Sequence, residues 1–381
     1  MSSELPPDML MIIFSKLSEN NNFLDLLCIC AYVSKSWYLT INEFISLSSN
    51  NPINITCPVL HINILYHLIK KNNCSVNIHF SKYSIHPWNC NFEEFCIKYI
   101  LLFPYTVNLD LRENNFASYR IDTLLLYKQY FMKLESIDLS CNWLNEKGCY
   151  LLAKFISYCK KIKHLNIMSN SFEFNTDALD ELLVSIKEFT YVNLSNNNLA
   201  ISGSTKLIKY IDNMTQLTHL ILKYSGIPPN LILQLATKLH NLQNLYHFDV
   251  SGTFLENSNV LETLLSNISY TCKELILHGC QINITPSVGV LLSKFNNLEL
   301  LDLSNNGIAD NKIDIVISVL NNMPNIKRIN LSNNDITLNS VKRLLPIFSK
   351  IKYIECIYLE NNCSVNTEDK IYLFYNYKIH I

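Results

Sequence analysis

One short pattern returns through this chain at an almost fixed step, and that regularity limits the folds open to it. "LESIDLSCNWL" (134–144), "FTYVNLSNNNL" (189–199), "LELLDLSNNGI" (298–308) and "IKRINLSNNDI" (326–336) are four full statements of it. Weaker copies fill the gaps at 106–116, 162–172, 217–227, 245–255, 272–282 and 354–364. The polar position falls at Asn114, Asn142, Asn170, Asn197, Ser225, Thr253, Cys280, Asn306, Asn334 and Asn362, a step of about 28 residues. Two vaguer units, "INITCPVL" (53–60) and "VNIHFSKYSI" (76–85), precede them. A chain of 381 residues is longer than one hydrophobic core usually serves. A repeat of this period resolves that by stacking units whose small apolar faces join into one core.

Elementary chemistry gives each part of the unit a place. An alternating apolar pair, such as Ile137 and Leu139, points inward from a short strand. The asparagine that follows offers an amide donor and a carbonyl acceptor to backbone groups as the chain turns away. A helix then returns: "GCYLLAKFISY" (148–158) sets Leu151, Leu152, Phe155 and Ile156 on one face. Strands sit about 4.8 Å apart and helices need roughly 10 Å, so stacking bends the array. The chain resembles the leucine-rich-repeat proteins over residues 106–364, with the long period of the ribonuclease-inhibitor type. The expected fold is an α/β horseshoe with parallel strands inside and helices outside.

Ahead of the repeats, "LPPDMLMIIFSKL" (5–17) places Leu10, Ile13, Phe14 and Leu17 on one helical face. Pro6, Pro7 and Asp8 suit the start of that helix. A second apolar run, "FLDLLCICAYVSKSWYL" (23–39), follows a polar break. These residues resemble an F-box, a small all-α domain. The matching positions are Leu5, Pro6, Leu10, Ile13, Phe14, Leu17, Leu27 and the ending Val33-Ser34-Lys35-x-Trp37, although the loop after Leu17 is longer than usual. The resemblance implies that these residues dock a Skp-type adaptor, and through it a cullin. An F-box followed by leucine-rich repeats implies the substrate-recognition subunit of a Skp–cullin–F-box type ubiquitin ligase. The expected divisions are 1–49 for the F-box-like domain, 50–105 for degenerate repeats or a linker, 106–365 for the repeats and 366–381 for a C-terminal cap.

Composition excludes several other classes. Lys plus Arg number 31 against 32 Asp plus Glu, a balance that gives no footprint for nucleic acid or an anionic membrane. No apolar run reaches membrane-spanning length, and the opening stretch lacks the marks of a signal peptide. Thirteen cysteines, an odd number without paired spacing, read as reduced thiols. The expected location is the cytoplasm, with the nucleus also open. The Asn- and Ile-rich composition would fit a large DNA virus borrowing its host's ligase, which would place the chain in the host cytoplasm.

The columns flanking the buried pair face the strand side of the array. In the middle of it His164, Met168, Tyr191, His219, Ile221, Lys223, Tyr224, His247, Ile276 and His278 interrupt a run of Asp, Asn and Ser, and are the candidate contacts for a protein substrate. Asp110, Asp138, Asp249 and Asp302 share one column and read as solvated strand residues. No nucleophile elbow, phosphate loop, dinucleotide fingerprint or HExxH is present, so no catalytic residue, metal or cofactor is expected. Two alternatives stay open. One is a stand-alone scaffold or inhibitor whose N-terminal helices only cap the solenoid. The other is a GTPase activator of the Ran type, disfavoured because the sequence ends "YLFYNYKIHI" instead of in an acidic tail.

Overall fold

A computed structural model of the protein describes residues 41, 52–56, 62–80, 92–114, 118–170, 172, 177–362 and 379–380. The chain divides into two units, Met1–Ser171 and Phe172–Ile381.

In the first unit the strands are β1 (Ile53–Thr56), β2 (Val76–His79), β3 (Thr106–Asp110), β4 (Ser136–Asp138) and β5 (His164–Asn166). All are parallel and each pairs with the next in sequence, the arrangement that a helix returning between strands imposes. The register lines up Ile55, Ile78, Leu109, Ile137 and Leu165 as one row, all buried. Residues 50–105 contribute β1, β2 and the helices Ile62–Asn72 and Phe92–Tyr99. Their core is aromatic. Phe80, Phe95, Phe103, Phe131 and Phe155 form a chain of ring contacts, with centroids 4.2 Å apart for Phe80–Phe95 and 4.4 Å for Phe103–Phe131. The helix Glu146–Tyr158 starts at Asn145, whose side chain accepts from the Gly148 amide, and it buries Leu151, Leu152, Phe155 and Ile156 as its spacing predicts.

The second unit repeats the scheme with β6 (Tyr191–Asn193), β7 (His219–Ile221), β8 (His247–Asp249), β9 (Glu274–Ile276), β10 (Leu300–Asp302), β11 (Arg328–Asn330), β12 (Cys356–Tyr358) and β13 (Ile379–His380). These strands too are parallel and ordered as in sequence. Val192, Leu220, Phe248, Leu275, Leu301, Ile329 and Ile357 form its buried row. Helices such as Ala200–Ile211, Pro229–Lys238 and Leu338–Phe348 return between strands. Both units are therefore leucine-rich-repeat arrays of the α/β class.

The asparagines close the turns as their chemistry suggests. The Asn142 side-chain amide donates to the carbonyls of Leu111, Leu139 and Ser140, while its oxygen accepts from the Asn114 amide. Asn306 and Asn334 repeat this in the second unit. One expectation needs correcting. The aspartate column is not simply solvated: Asp110 and Asp249 are only 8% exposed. The carboxylates of Asp138, Asp249 and Asp302 accept from both the amide and the hydroxyl of the serine two residues on, at 2.5–2.9 Å. Each thereby clasps the turn that begins at its own strand end. Burial works to raise the Asp110 carboxyl, but hydrogen bonds from His79 and Arg112 outweigh it and hold the group well below the usual carboxylate range.

Candidate protein-interaction surface

On the strand face of the second unit, the first residue of each strand builds a continuous row. The Tyr191 and His219 rings lie 5.5 Å apart, and those of His219 and His247 stack at 5.6 Å with 17° between planes. Cross-strand pairing of His219 with His247 sets this contact, as adjacent repeats require. Thr218 Oγ1 holds His219 Nδ1 at 2.9 Å, and Tyr246 lies against the same ring at 5.5 Å. His247 Nδ1 meets Glu274 Oε2 at 2.7 Å, and the other oxygen of Glu274 accepts from Arg328 at 3.1 Å. The row thus passes from aromatic and imidazole rings into an ion-paired cluster.

Past the strand ends a second group forms. His278 Nδ1 lies 2.7 Å from Ser304 Oγ, and its Nε2 lies 3.0 Å from the Tyr224 hydroxyl, two repeats away. Lys223 Nζ sits 5.4 Å from the centre of the Tyr224 ring. Between the two groups, Ile221 and Ile276 occupy positions that hold Asp or Asn in most other repeats, and both are half-buried. At the strand-entry edge Glu299 is gripped by Lys273 (2.7 Å) and Lys327 (2.6 Å), whose hydrogen bonds hold its carboxyl below the usual range.

Eight of the expected substrate contacts therefore lie in this unit: Tyr191, His219, Ile221, Lys223, Tyr224, His247, Ile276 and His278. His164 and Met168 belong to the first unit, where His164 opens β5 and is exposed, and the Met168 amide donates to Asn166. The adaptor-binding positions Leu5, Pro6, Leu10, Ile13, Phe14, Leu17, Leu27, Val33, Lys35 and Trp37 lie outside the described residues. Tyr246, Glu274, Ser304 and Arg328 join the surface without having been singled out from sequence. The shared strand column signals Glu274 and Arg328, but their link through one carboxylate depends on side-chain reach. Among the described residues no three His, Cys, Asp or Glu side chains converge as metal ligands, and no helix is long and apolar enough to cross a membrane.

Comparison with known proteins bears on both parts of the chain. The F-box domain family model matches residues 2–48. The mouse protein "NACHT, LRR and PYD domains-containing protein 14" is 25% identical over 206 residues, which are 52% of this chain and 20% of that protein. The chain thus spans about a fifth of the length of this curated relative. Among solved structures, an internalin from Listeria monocytogenes is similar, with 14% identity, 92% of this chain and 90% of that one covered, and a TM-score of 0.43. A leucine-rich-repeat protein of Leptospira interrogans matches with 16% identity, 89% and 92% coverage and a TM-score of 0.40. The fold itself rests on the repeat geometry described above. Both families are protein-interaction modules, and the chain joins them: an F-box match at residues 2–48 stands ahead of leucine-rich repeats.

Proposed function

We propose that the chain is the substrate-recognition subunit of a Skp–cullin–F-box type ubiquitin ligase, acting in the cytoplasm and nucleus. The observation that carries this reading is the F-box match at residues 2–48 placed ahead of a repeat array. In it the F-box docks a Skp-type adaptor through Leu5, Pro6, Leu10, Ile13, Phe14, Leu17, Leu27, Val33, Lys35 and Trp37, and the adaptor links it to a cullin. The strand face of the second unit presents Tyr191, His219, Ile221, Lys223, Tyr224, His247, Ile276 and His278 to a protein target, and that of the first unit offers His164 and Met168. Half-buried aliphatic and aromatic groups among hydrogen-bonded polar ones are the composition from which protein interfaces take their anchors. The chain performs no catalysis itself, and ubiquitin transfer belongs to its partners.

The test is co-purification of a Skp-type adaptor with the full-length protein and with the double variant Pro6→Ala, Leu10→Asp. Binding to the wild type, with a loss of at least about tenfold in the variant, is the expected result; about tenfold corresponds to the ~1.4 kcal/mol expected at minimum from an apolar anchor. Equal binding by both, or by neither, would leave a stand-alone scaffold whose N-terminal helices cap the array.

A further inference from the structure

Three departures from the repeat rule coincide in the second unit. The first is at the turn residue before the ladder position. It takes a left-handed backbone in every repeat from Glu113 to Asn361, and Asn196, Asn305, Asn333, Gly252 and Gly279 are the tolerant occupants. Tyr224 holds this conformation with φ +50°, which a bulky aromatic side chain disfavours. Its ring lies over Gly252, where a Cβ would come within 2.0 Å of Tyr224 Cδ1, so the next repeat is cut away to receive it. The hydroxyl is then fixed by His278, and the residue remains 45% exposed. Backbone strain held in place by surrounding structure is a mark of a working surface.

The second departure is Ile221 and Ile276. Equivalent Asp and Asn residues clasp their own turns, as Asn193 does to the Ser195 amide at 3.0 Å, and isoleucine cannot. The two stand on either side of Asp249 in the register, so their backbones are about 10 Å apart, two strand spacings. The third is Lys223. It stands where Ser140, Ser195, Ser251, Ser304 and Ser332 stand in other repeats, meets no carboxylate among the described residues and lies over the Tyr224 ring. An uncompensated cation beside a half-buried aliphatic pair is complementary to an anion attached to an apolar group.

We propose that Ile221, Lys223, Tyr224, Ile276 and His278 form a cradle for an extended segment of the target protein in which an aliphatic side chain stands two residues before a carboxylate, on the same face. The aliphatic group seats between Ile221 and Ile276. The carboxylate meets Lys223 along the edge of the Tyr224 ring, which His278 and Ser304 hold in place. This deepens the proposed function and rests on the strand face being the target-binding side.

The test uses the full-length protein on an array of short immobilised peptides with a fixed central Leu-x-Glu, Leu-x-Gln, Leu-x-Lys or Ser-x-Glu motif, with x and the surroundings random. Leu-x-Glu peptides are expected to retain the protein best and Leu-x-Lys peptides worst, with a gap of about tenfold. Lys223→Glu should invert that order, and Ile221→Asp should abolish retention of all Leu peptides. Tyr224→Asn supplies the readout that a merely structural role would not move. Asn suits the left-handed turn, so the variant should melt no lower than wild type while losing about tenfold in retention. Unchanged order in Lys223→Glu, full retention by Tyr224→Asn, or retention on no peptide overturns the cradle. If Ile221→Asp abolishes charge-indifferent binding, the strand face keeps its role and only the acidic preference falls. Binding unmoved by either variant removes the strand face as well.

Discussion

At the residue scale, the ladder asparagines show how much one side chain can settle. Asn306 donates to the carbonyls of Leu277, Leu303 and Ser304 at 2.8–3.0 Å and accepts from the Cys280 amide at 2.9 Å, all in a buried turn. Ser225, at the same repeat position, is buried, and among the described residues its hydroxyl reaches only the Leu194 carbonyl, at 3.4 Å. Asn306→Ala should therefore lower unfolding free energy by about 3 kcal/mol, since several buried backbone groups lose their partner, while Ser225→Ala should cost under ~1 kcal/mol. Urea unfolding of the two variants checks the contrast, and equal losses would refute it. The asparagine role was legible in sequence because the residue's donors and acceptors are fixed by its type. The aspartate column was not, because an acceptor aimed at a serine two residues ahead depends on the chain reversing there, which composition does not reveal. Ile221 and Ile276 were legible as anomalies in a column, but the missing turn bond that gives the anomaly meaning emerges only from neighbours such as Asn193 and Asp302.

At the element scale, strands of three residues would be hopeless to find one at a time, and periodicity is what exposed them. Where the motif weakens, other physics holds the element. β1 and β2 come before the first clear motif, and the helix after β2 brings Phe92 and Phe95 against Phe80 in a core of aromatic rings in place of leucines. Ring stacking has no fixed sequence period, so these strands showed only as vague units. The elements also bury their thiols: burial pushes Cys159, Cys272 and Cys280 up to about 12. Alkylation needs the thiolate, so near neutral pH these groups are unreactive on two counts, protonation and access. Cys141 and Cys356 are half-buried. Brief alkylation of the native protein followed by peptide mapping should find Cys141 and Cys356 modified well before Cys159, Cys272 and Cys280, which should react only on unfolding. Early modification of Cys272 or Cys280 would mean that the helices returning over β9 open far more readily than their packing implies.

At the scale of the whole molecule, each described strand pairs with its neighbour in sequence within its own unit, so stability accumulates repeat by repeat. Arrays of this kind lose all-or-none cooperativity as they lengthen. The two units also differ in what fills them: linked aromatic rings run through the first, and the second depends mainly on leucines such as Leu220, Leu264 and Leu275. The sequence supplies a convenient probe, because its three tryptophans, Trp37, Trp88 and Trp143, all fall within residues 1–171. Tryptophan fluorescence therefore reports the first unit alone, while far-ultraviolet circular dichroism reports the helices of both. Followed together through a denaturant titration, the two signals should not coincide. The fluorescence transition should also be the shallower, because its slope reflects the surface exposed by one unit and not by the whole chain. Superimposable curves with the slope expected of all 381 residues would show instead that the units unfold as one. In that case a substitution in either unit, Asn306→Ala included, would shift both signals equally.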